Sequence, residues 1–320
     1  MRRGEEKTIS RGAVACDLCG ASSYQALFQA NDRRFGFAGT FTIARCAECG
    51  LTRTEPQPVD PSAFYPTDAY YSFAPPVPPS DRRRIRLREA YGLPAKADRT
   101  TRLISRLGAK RSTPGLPPGP PGDLLDVGCG SGEFLLALRE VGWNCHGVEV
   151  SEHAVAAARS AGLTSVQLGE FPNLDYPSAS FDVVRFWHSL EHVRSPRLYL
   201  SEARRVLRPG GRLQIGVPNF ASLLSRTFRD RWFYLDVPRH LWHFDTESLT
   251  RLVSDVGFQV RSVEYVTPST PILGTFLRLL GRDGSLVDQR LLWLSSLPLA
   301  VLLDSLALGD GMVTVAKAPD

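Results

Sequence analysis

The chain has 320 residues, 43% of them apolar, enough to bury one large core and leave room for a small added module. Its 38 Lys and Arg against 33 Asp and Glu give a formal charge of +5, too mild to establish a polyanionic partner, so RNA or a membrane surface is permitted and neither is required. Residues 1–10 are charged and lack the apolar stretch of a secretory signal, so a cytoplasmic protein with reduced cysteines is expected.

The first chemistry along the chain is a pair of Cys-x-x-Cys knuckles, Cys16/Cys19 and Cys46/Cys49, each followed by glycine and separated by 26 residues. Four thiolates at that spacing satisfy tetrahedral zinc and leave no position for a substrate, so the metal is expected to be structural. Residues 24–43, where aromatic and polar positions alternate, predict the hairpins of a small zinc ribbon that needs its metal to fold. This sets a first module at residues 1–55. Two proline-rich breaks follow, at 75–79 and 113–122, and between them residues 81–107 predict one or two helices with a basic face. Residues 56–121 are therefore read as a linker and helical segment, and a second domain is expected over 122–320.

From residue 124 onward, short apolar runs alternate with helical periodicity, the pattern of a doubly wound α/β sheet. Strands are predicted at 124–128, 145–150, 165–168, 181–187, 212–217, 259–266 and 312–316, and helices at 133–141, 153–161, 197–207 and 248–256. Gly142, Gly162, Gly210 and Gly257 fall where those helices should stop.

The turn after the first of these strands carries Gly128, Gly130 and Gly132. A strand, alternate glycines and then a helix leave backbone N–H groups free at one end of the sheet. A nicotinamide fingerprint wants its third glycine one residue later, so a different nucleoside ligand is favoured. Glu149 ends the second strand about 20 residues beyond the loop, where this architecture holds a ribose diol.

Four stretches together resemble class I S-adenosylmethionine-dependent methyltransferases: residues 124–132, 147–151, 181–192 and 207–213. The likeness is tight over about 122–218 and looser to the end. It implies a Rossmann-like sheet of seven strands with an antiparallel last strand at 310–317. It also places Asp126, Gly128, Cys129, Gly130 and Gly132 at the methionine end of the cofactor, Glu149 and Val150 at the ribose, and Glu170 with Phe171 at the adenine.

Methyl transfer from a sulfonium needs alignment and exclusion of water, and a hydroxyl or acidic C–H acceptor also needs a base. The histidine candidates are His188 and His192 after the fourth strand, and His240, the first choice, in a segment that covers the acceptor in similar enzymes. His243 lies in the same segment, a capping or core role is the alternative for either His240 or His243, and His153 is expected to face solvent. In the resemblance, Glu191 with His192 is alternatively part of a divalent-metal site found in some relatives that methylate quinols. The element after the fourth strand lacks the Asn/Asp-Pro-Pro-aromatic run of amine methylators.

The cysteine module resembles zinc domains of methyltransferases linked to sugar, polysaccharide and secondary-metabolite pathways, a likeness strengthened by residues 64–71. The resulting expectation is O- or C-methylation of a small-molecule, lipid-linked or glycan acceptor. Two alternatives stand beside it: an RNA base methyltransferase contacting phosphates through residues 82–88, and a non-catalytic S-adenosylmethionine-binding protein. The apolar stretch at about 269–308 is interrupted by Pro298 and Asp304, which argues against a transmembrane span. It reads as an insertion covering the site, a subunit contact or a peripheral membrane contact, and the oligomeric state is open.

Overall fold

The computed structural model describes residues 15–66, 70–77, 115–281 and 289–320. The expected basic helices at 81–107 and the arginine run at 82–88 lie outside the described residues, as do residues 1–10.

Two sheets organise what is described. The larger has seven strands: β4 (Asp123–Val127), β5 (Asn144–Glu149), β6 (Val166–Leu168), β7 (Phe181–Trp187), β8 (Leu207–Pro218), β10 (Gln259–Val266) and β11 (Gly311–Lys317). Their spatial order is β10-β11-β8-β7-β4-β5-β6. β4 pairs in parallel with β5 and β7, whereas β11 runs antiparallel between β8 and β10. This is the expected sheet with its antiparallel closing strand. The order reverses between β4 and β7, and the crevice outside the carboxyl ends of such strands is where open α/β sheets bind ligands.

Most helices beside these strands start where a side chain satisfies a free N–H group. α1 (Glu133–Arg139) opens directly from Gly132, at φ 79°. α2 (Glu152–Ser160) is capped by Ser151, and α3 (Pro196–Val206) by Ser195 with proline at its first position. α4 (Leu223–Phe228) precedes α5 (Thr246–Asp255), where Asp245 and Ser248 form a reciprocal capping box. Buried leucines and valines of β4, β7 and β8 meet Leu200, Leu249 and Leu252 from the helices in one core.

The structure shifts most predicted boundaries by a residue or two. β8 differs more: it begins at Leu207 rather than 212 and takes in Gly210, which was expected only to follow the end of the preceding helix. The proline-rich stretch before β4 is no free linker over residues 115–122, because Gln214 and Arg212 donate to the carbonyls of Leu116 and Pro118. The apolar stretch forms α6 (Ser269–Leu279) and α7 (Gln289–Ser305) between β10 and β11. Among the described residues no helix is long and apolar enough to cross a membrane.

The smaller sheet has the order β1-β2-β3-β9, from β1 (Tyr24–Ala30), β2 (Phe41–Cys46), β3 (Thr52–Glu55) and β9 (Trp242–His243). The cysteine module supplies three strands and the chain after β8 supplies the fourth. Thr52 pairs with His243 and Arg53 with Trp242.

Candidate active site

The glycine loop owes its shape to sites where a Cβ cannot fit. Gly128 and Gly132 have φ near 78° and 79°, and a Cβ on Gly128 would meet Ser189 at 2.5 Å. Ser189 Oγ donates to Val127 O, locking the turn after β7 against the turn after β4. Glu149 faces this loop: its carboxylate accepts from the N–H groups of Gly130, Val150 and Ser151 at 2.9–3.0 Å. Burial raises its pKa, and those three N–H groups pull it back. Val150, 64% exposed, leaves an apolar face beside it.

Two residues assigned to the cofactor by resemblance have partners within the protein. Both Asp126 oxygens accept from Arg185 Nη1 at 2.8 and 2.9 Å, and the guanidinium lies between the rings of Phe134 and Trp187. Asp126 is thus engaged within the sheet, because strand register sets it opposite Arg185. Phe171 has no exposed surface and packs on Tyr176, Phe186 and Tyr199 in the core. Glu170 is exposed and bonds Asn173. His153 is exposed, as expected.

The histidines converge. Glu191 is 1% exposed, with His188 Nδ1 at 3.4 Å and His240 Nε2 at 3.9 Å from its Oε1. The rings of His192 and His240 lie 4.6 Å apart. Neither Glu191 oxygen accepts a well-formed hydrogen bond. Burial works against its charge, yet the surrounding His188, His192 and His240 outweigh it and hold the carboxyl at about 2.

The tautomer of His240 follows from its partner. Nδ1 lies 2.8 Å from Tyr234 O, which can only accept, so Nδ1 carries the proton and Nε2 the lone pair. Burial and His192 push its pKa down to about 4, so the ring is neutral at neutral pH. Asp236 Oδ2 stands 3.9 Å from the same Nε2. His188 has φ 51°, is partly exposed and stacks on Tyr234.

Several contributors escaped the sequence reading. Tyr65 Oη is 2.7 Å from His192 Nδ1, and burial raises the phenol well above its usual range. Ser72 O accepts from Ser131 N–H, so the segment after the cysteine module crosses the glycine loop. Asp32, in the module, accepts from both Arg239 Nη atoms at 2.7 and 3.0 Å with both side chains fully buried. The run at 64–71 was the one sequence signal for Tyr65.

His243 is a buried structural residue. Thr54 Oγ donates to His240 O at 2.7 Å, and therefore accepts from His243 Nε2–H at 2.9 Å.

At the far end of the module, Cys16 Sγ and Cys49 Sγ are 3.5 Å apart, as are Cys19 Sγ and Cys46 Sγ, and all four lie within 4.8 Å of one another. Tetrahedral zinc with bonds of about 2.3 Å needs sulfurs roughly 3.8 Å apart, so the donor set fits. Gly20 and Gly50, at φ 78° and 79°, turn each knuckle back so that their N–H groups reach Cys16 O and Cys46 O. Cys129 and Cys145 stand apart from this cluster.

A family model described as a methyltransferase domain matches residues 94–263, more than half of the chain. The chain belongs to the methyltransferase-domain family. S-adenosylmethionine is the cofactor of this family. Among similar curated proteins is 27-O-demethylrifamycin SV methyltransferase of Amycolatopsis mediterranei, 38% identical over 145 residues, covering 41% of this chain and 51% of the relative. Another is a ubiquinone biosynthesis O-methyltransferase of Idiomarina loihiensis, 33% identical over 112 residues, covering 33% and 44%. The methyltransferase chain thus spans about half the length of these curated relatives. Among solved structures, a possible histamine N-methyltransferase of Thermotoga maritima is similar with a TM-score of 0.44 and 24% identity, covering 63% of this chain and 84% of that one.

Proposed function

We propose that the protein transfers the methyl group of S-adenosylmethionine to a hydroxyl of a small-molecule acceptor. The observation that carries this is the neutral His240 Nε2 lone pair, held beside Glu191 and Asp236 at the carboxyl edge of the same sheet that presents the glycine loop and Glu149. Curated relatives named as O-methyltransferases support the acceptor atom.

In this reading the loop N–H groups and Glu149 hold the cofactor, whose sulfonium supplies an activated methyl. His240 Nε2 takes the acceptor proton as the oxygen attacks. The imidazolium that results is offset by the two carboxylates, each 3.9 Å away. Tyr65, on His192, and Ser72, on the glycine loop, cover the cleft and keep water from the reacting atoms. The four cysteines would hold zinc as a structural ion, and the domain division at residues 55 and 121 is part of the same proposal.

One observation favours a second reading of the acceptor side. Glu191, His192 and His240 each offer a ligand atom within 4.8 Å of the others, around a buried carboxylate that lacks hydrogen bonds. Imidazole and carboxylate suit a divalent cation, and the Nδ1–H of His240 on Tyr234 O is the outer-shell bond such ligands use. A cation there would acidify an acceptor hydroxyl.

The test is release of S-adenosylhomocysteine across a panel of hydroxylated aromatic, polyketide and sugar acceptors. His240→Ala is expected to bind S-adenosylmethionine as the parent does and to lose about 100-fold or more in turnover. Undiminished turnover rejects the role of His240. Metal content separates the two readings: a second bound ion per chain that His240→Ala removes favours the cation, and zinc at the cysteines alone favours the base.

A further inference from the structure

We infer that Thr54, on the last strand of the zinc module, is a positioning residue for His240, so that the module acts as part of the acceptor site and not as a separate recognition domain. This rests on the reading that His240 serves methyl transfer, whether as base or as ligand.

The chain reaches His240 through main-chain geometry that the module dictates. Cys46 ends β2, and Gly50 N–H and Leu51 O close the second knuckle onto Cys46. β3 starts immediately afterwards, so an ion gathering the four thiolates would also fix where β3 begins. β3 then pairs with β2 on one side and with β9 on the other.

Thr54 is fully buried, and its N–H and hydroxyl are both spent on the histidine segment. Its N–H donates to Leu241 O at 3.0 Å, its hydroxyl donates to His240 O at 2.7 Å, and the hydroxyl oxygen accepts from His243 at 2.9 Å. The carbonyls of His240 and Leu241 are thereby both held by Thr54, 186 positions before His240 in the chain, and Gln57 Nε2 adds a longer bond of 3.3 Å to Leu241 O. Residue 239 is clamped by the same module, through Asp32. His240 N–H in turn donates to Asp236 O at 3.0 Å. With the main chain held on both sides, the side chain retains one orientation, Nδ1–H on Tyr234 O and Nε2 toward Glu191.

Nothing in this arrangement touches the cofactor's loop. Gly128 and Cys129 donate to Val148 O, Gly130 to Glu149 and Ser131 to Ser72 O, while Ser189 bonds Val127 O just before the loop. A defect confined to Thr54 should therefore separate transfer from cofactor binding. Displacing a reacting group by about 1 Å is enough to cost on the order of 10- to 100-fold in rate.

The test compares full-length Thr54→Val, Thr54→Ser and the parent, using the hydroxylated acceptor that the parent turns over best. For Thr54→Val, kcat is expected to fall about 10- to 100-fold with zinc content and S-adenosylmethionine affinity unchanged, and Thr54→Ser is expected to recover most of the loss. A second readout needs no acceptor: long-range proton–nitrogen spectra of the histidines should show one neutral tautomer for His240 in the parent and a mixture in Thr54→Val. Thr54→Ala replaces the valine variant if that one does not fold with zinc bound. Unchanged kcat and an unchanged tautomer overturn the inference, as does a parallel loss of cofactor affinity. If His240→Ala is fully active, the functional reading itself fails; if His240→Ala is inactive and Thr54→Val is not, only the role of Thr54 fails.

Discussion

In the proposed reading, the cofactor side of the cleft is built from one continuous stretch, residues 128–149, whereas the acceptor side is gathered from Thr54, Tyr65, His188, Glu191, Asp236 and His240. The first is mostly backbone: loop N–H groups turned by glycines toward a carboxylate on the neighbouring strand. The second is side chains whose relative places depend on how the zinc module docks. Backbone recognition of a nucleoside tolerates a changing surround, and an acceptor site built from distant pieces can be respecified by altering one piece. The contrast places the molecule's sensitivity to mutation on the acceptor side, and three substitutions or conditions probe it in order of size.

The largest effect is expected at the Asp32–Arg239 pair. Both side chains are fully buried, and Arg239 also bonds Asp236 and Phe64 O. Removing Asp32 takes two charge-assisted hydrogen bonds from a buried guanidinium and leaves it Asp236 as carboxylate partner; breaking a buried pair in this way costs about 3–5 kcal/mol. Asp32→Ala should lower unfolding free energy in urea by that amount and abolish transfer. A loss below about 1 kcal/mol would mean that the module docks by its apolar face alone, through Phe41 and Ile43 against Trp232 and Val237.

How much of each side could be read from sequence follows the same division. The glycine loop, Glu149 and both cysteine pairs were legible because their parts sit at fixed short spacings that one local geometry requires. The β-α alternation was legible for the same reason, and the strand at 181–187 was found to the residue. Hidden were the partners set by register or docking: Asp126 with Arg185 lies 59 residues apart, Tyr65 with His192 127, and Asp32 with Arg239 207. The histidines could be nominated one by one, but their meeting around Glu191 depends on β9 joining the module's sheet. The burial of Phe171 was equally hidden, because an aromatic beside an acid reads alike whether it faces a cleft or a core.

On the cofactor side, Glu149→Gln keeps the shape and removes the charge. A carboxylate's hydrogen bonds are worth about 1.5–3 kcal/mol in such settings, so S-adenosylmethionine affinity measured by calorimetry should fall by roughly 10- to 100-fold. Unfolding free energy should change little, because the amide oxygen can still accept from Gly130 or Val150. An equal loss of stability and affinity would make Glu149 a strut of the loop more than a ligand to the ribose, and the comparison between a tolerant and a sensitive side would weaken.

The smallest effect concerns acid. Burial, with the neighbouring His240, lowers the His243 pKa to about 3, while Glu191 opposes the shift. In the unfolded chain the same imidazole titrates near its ordinary value of about 6.5. The folded state thus keeps the ring neutral where the unfolded state takes up a proton. Stability from this group is complete above about pH 6.5 and falls as pH drops toward about 3. At pH 5.5 the loss from His243 alone is ~1.4 kcal/mol. His243→Gln retains an N–H for Thr54 Oγ and cannot titrate. The stability difference between parent and variant should therefore change by that amount between pH 7.5 and pH 5.5, in the variant's favour at the lower pH. A difference that stays constant with pH would show that His243 is solvated in the folded protein. The β3–β9 junction, on which Thr54 and His240 both depend, would then be open to water.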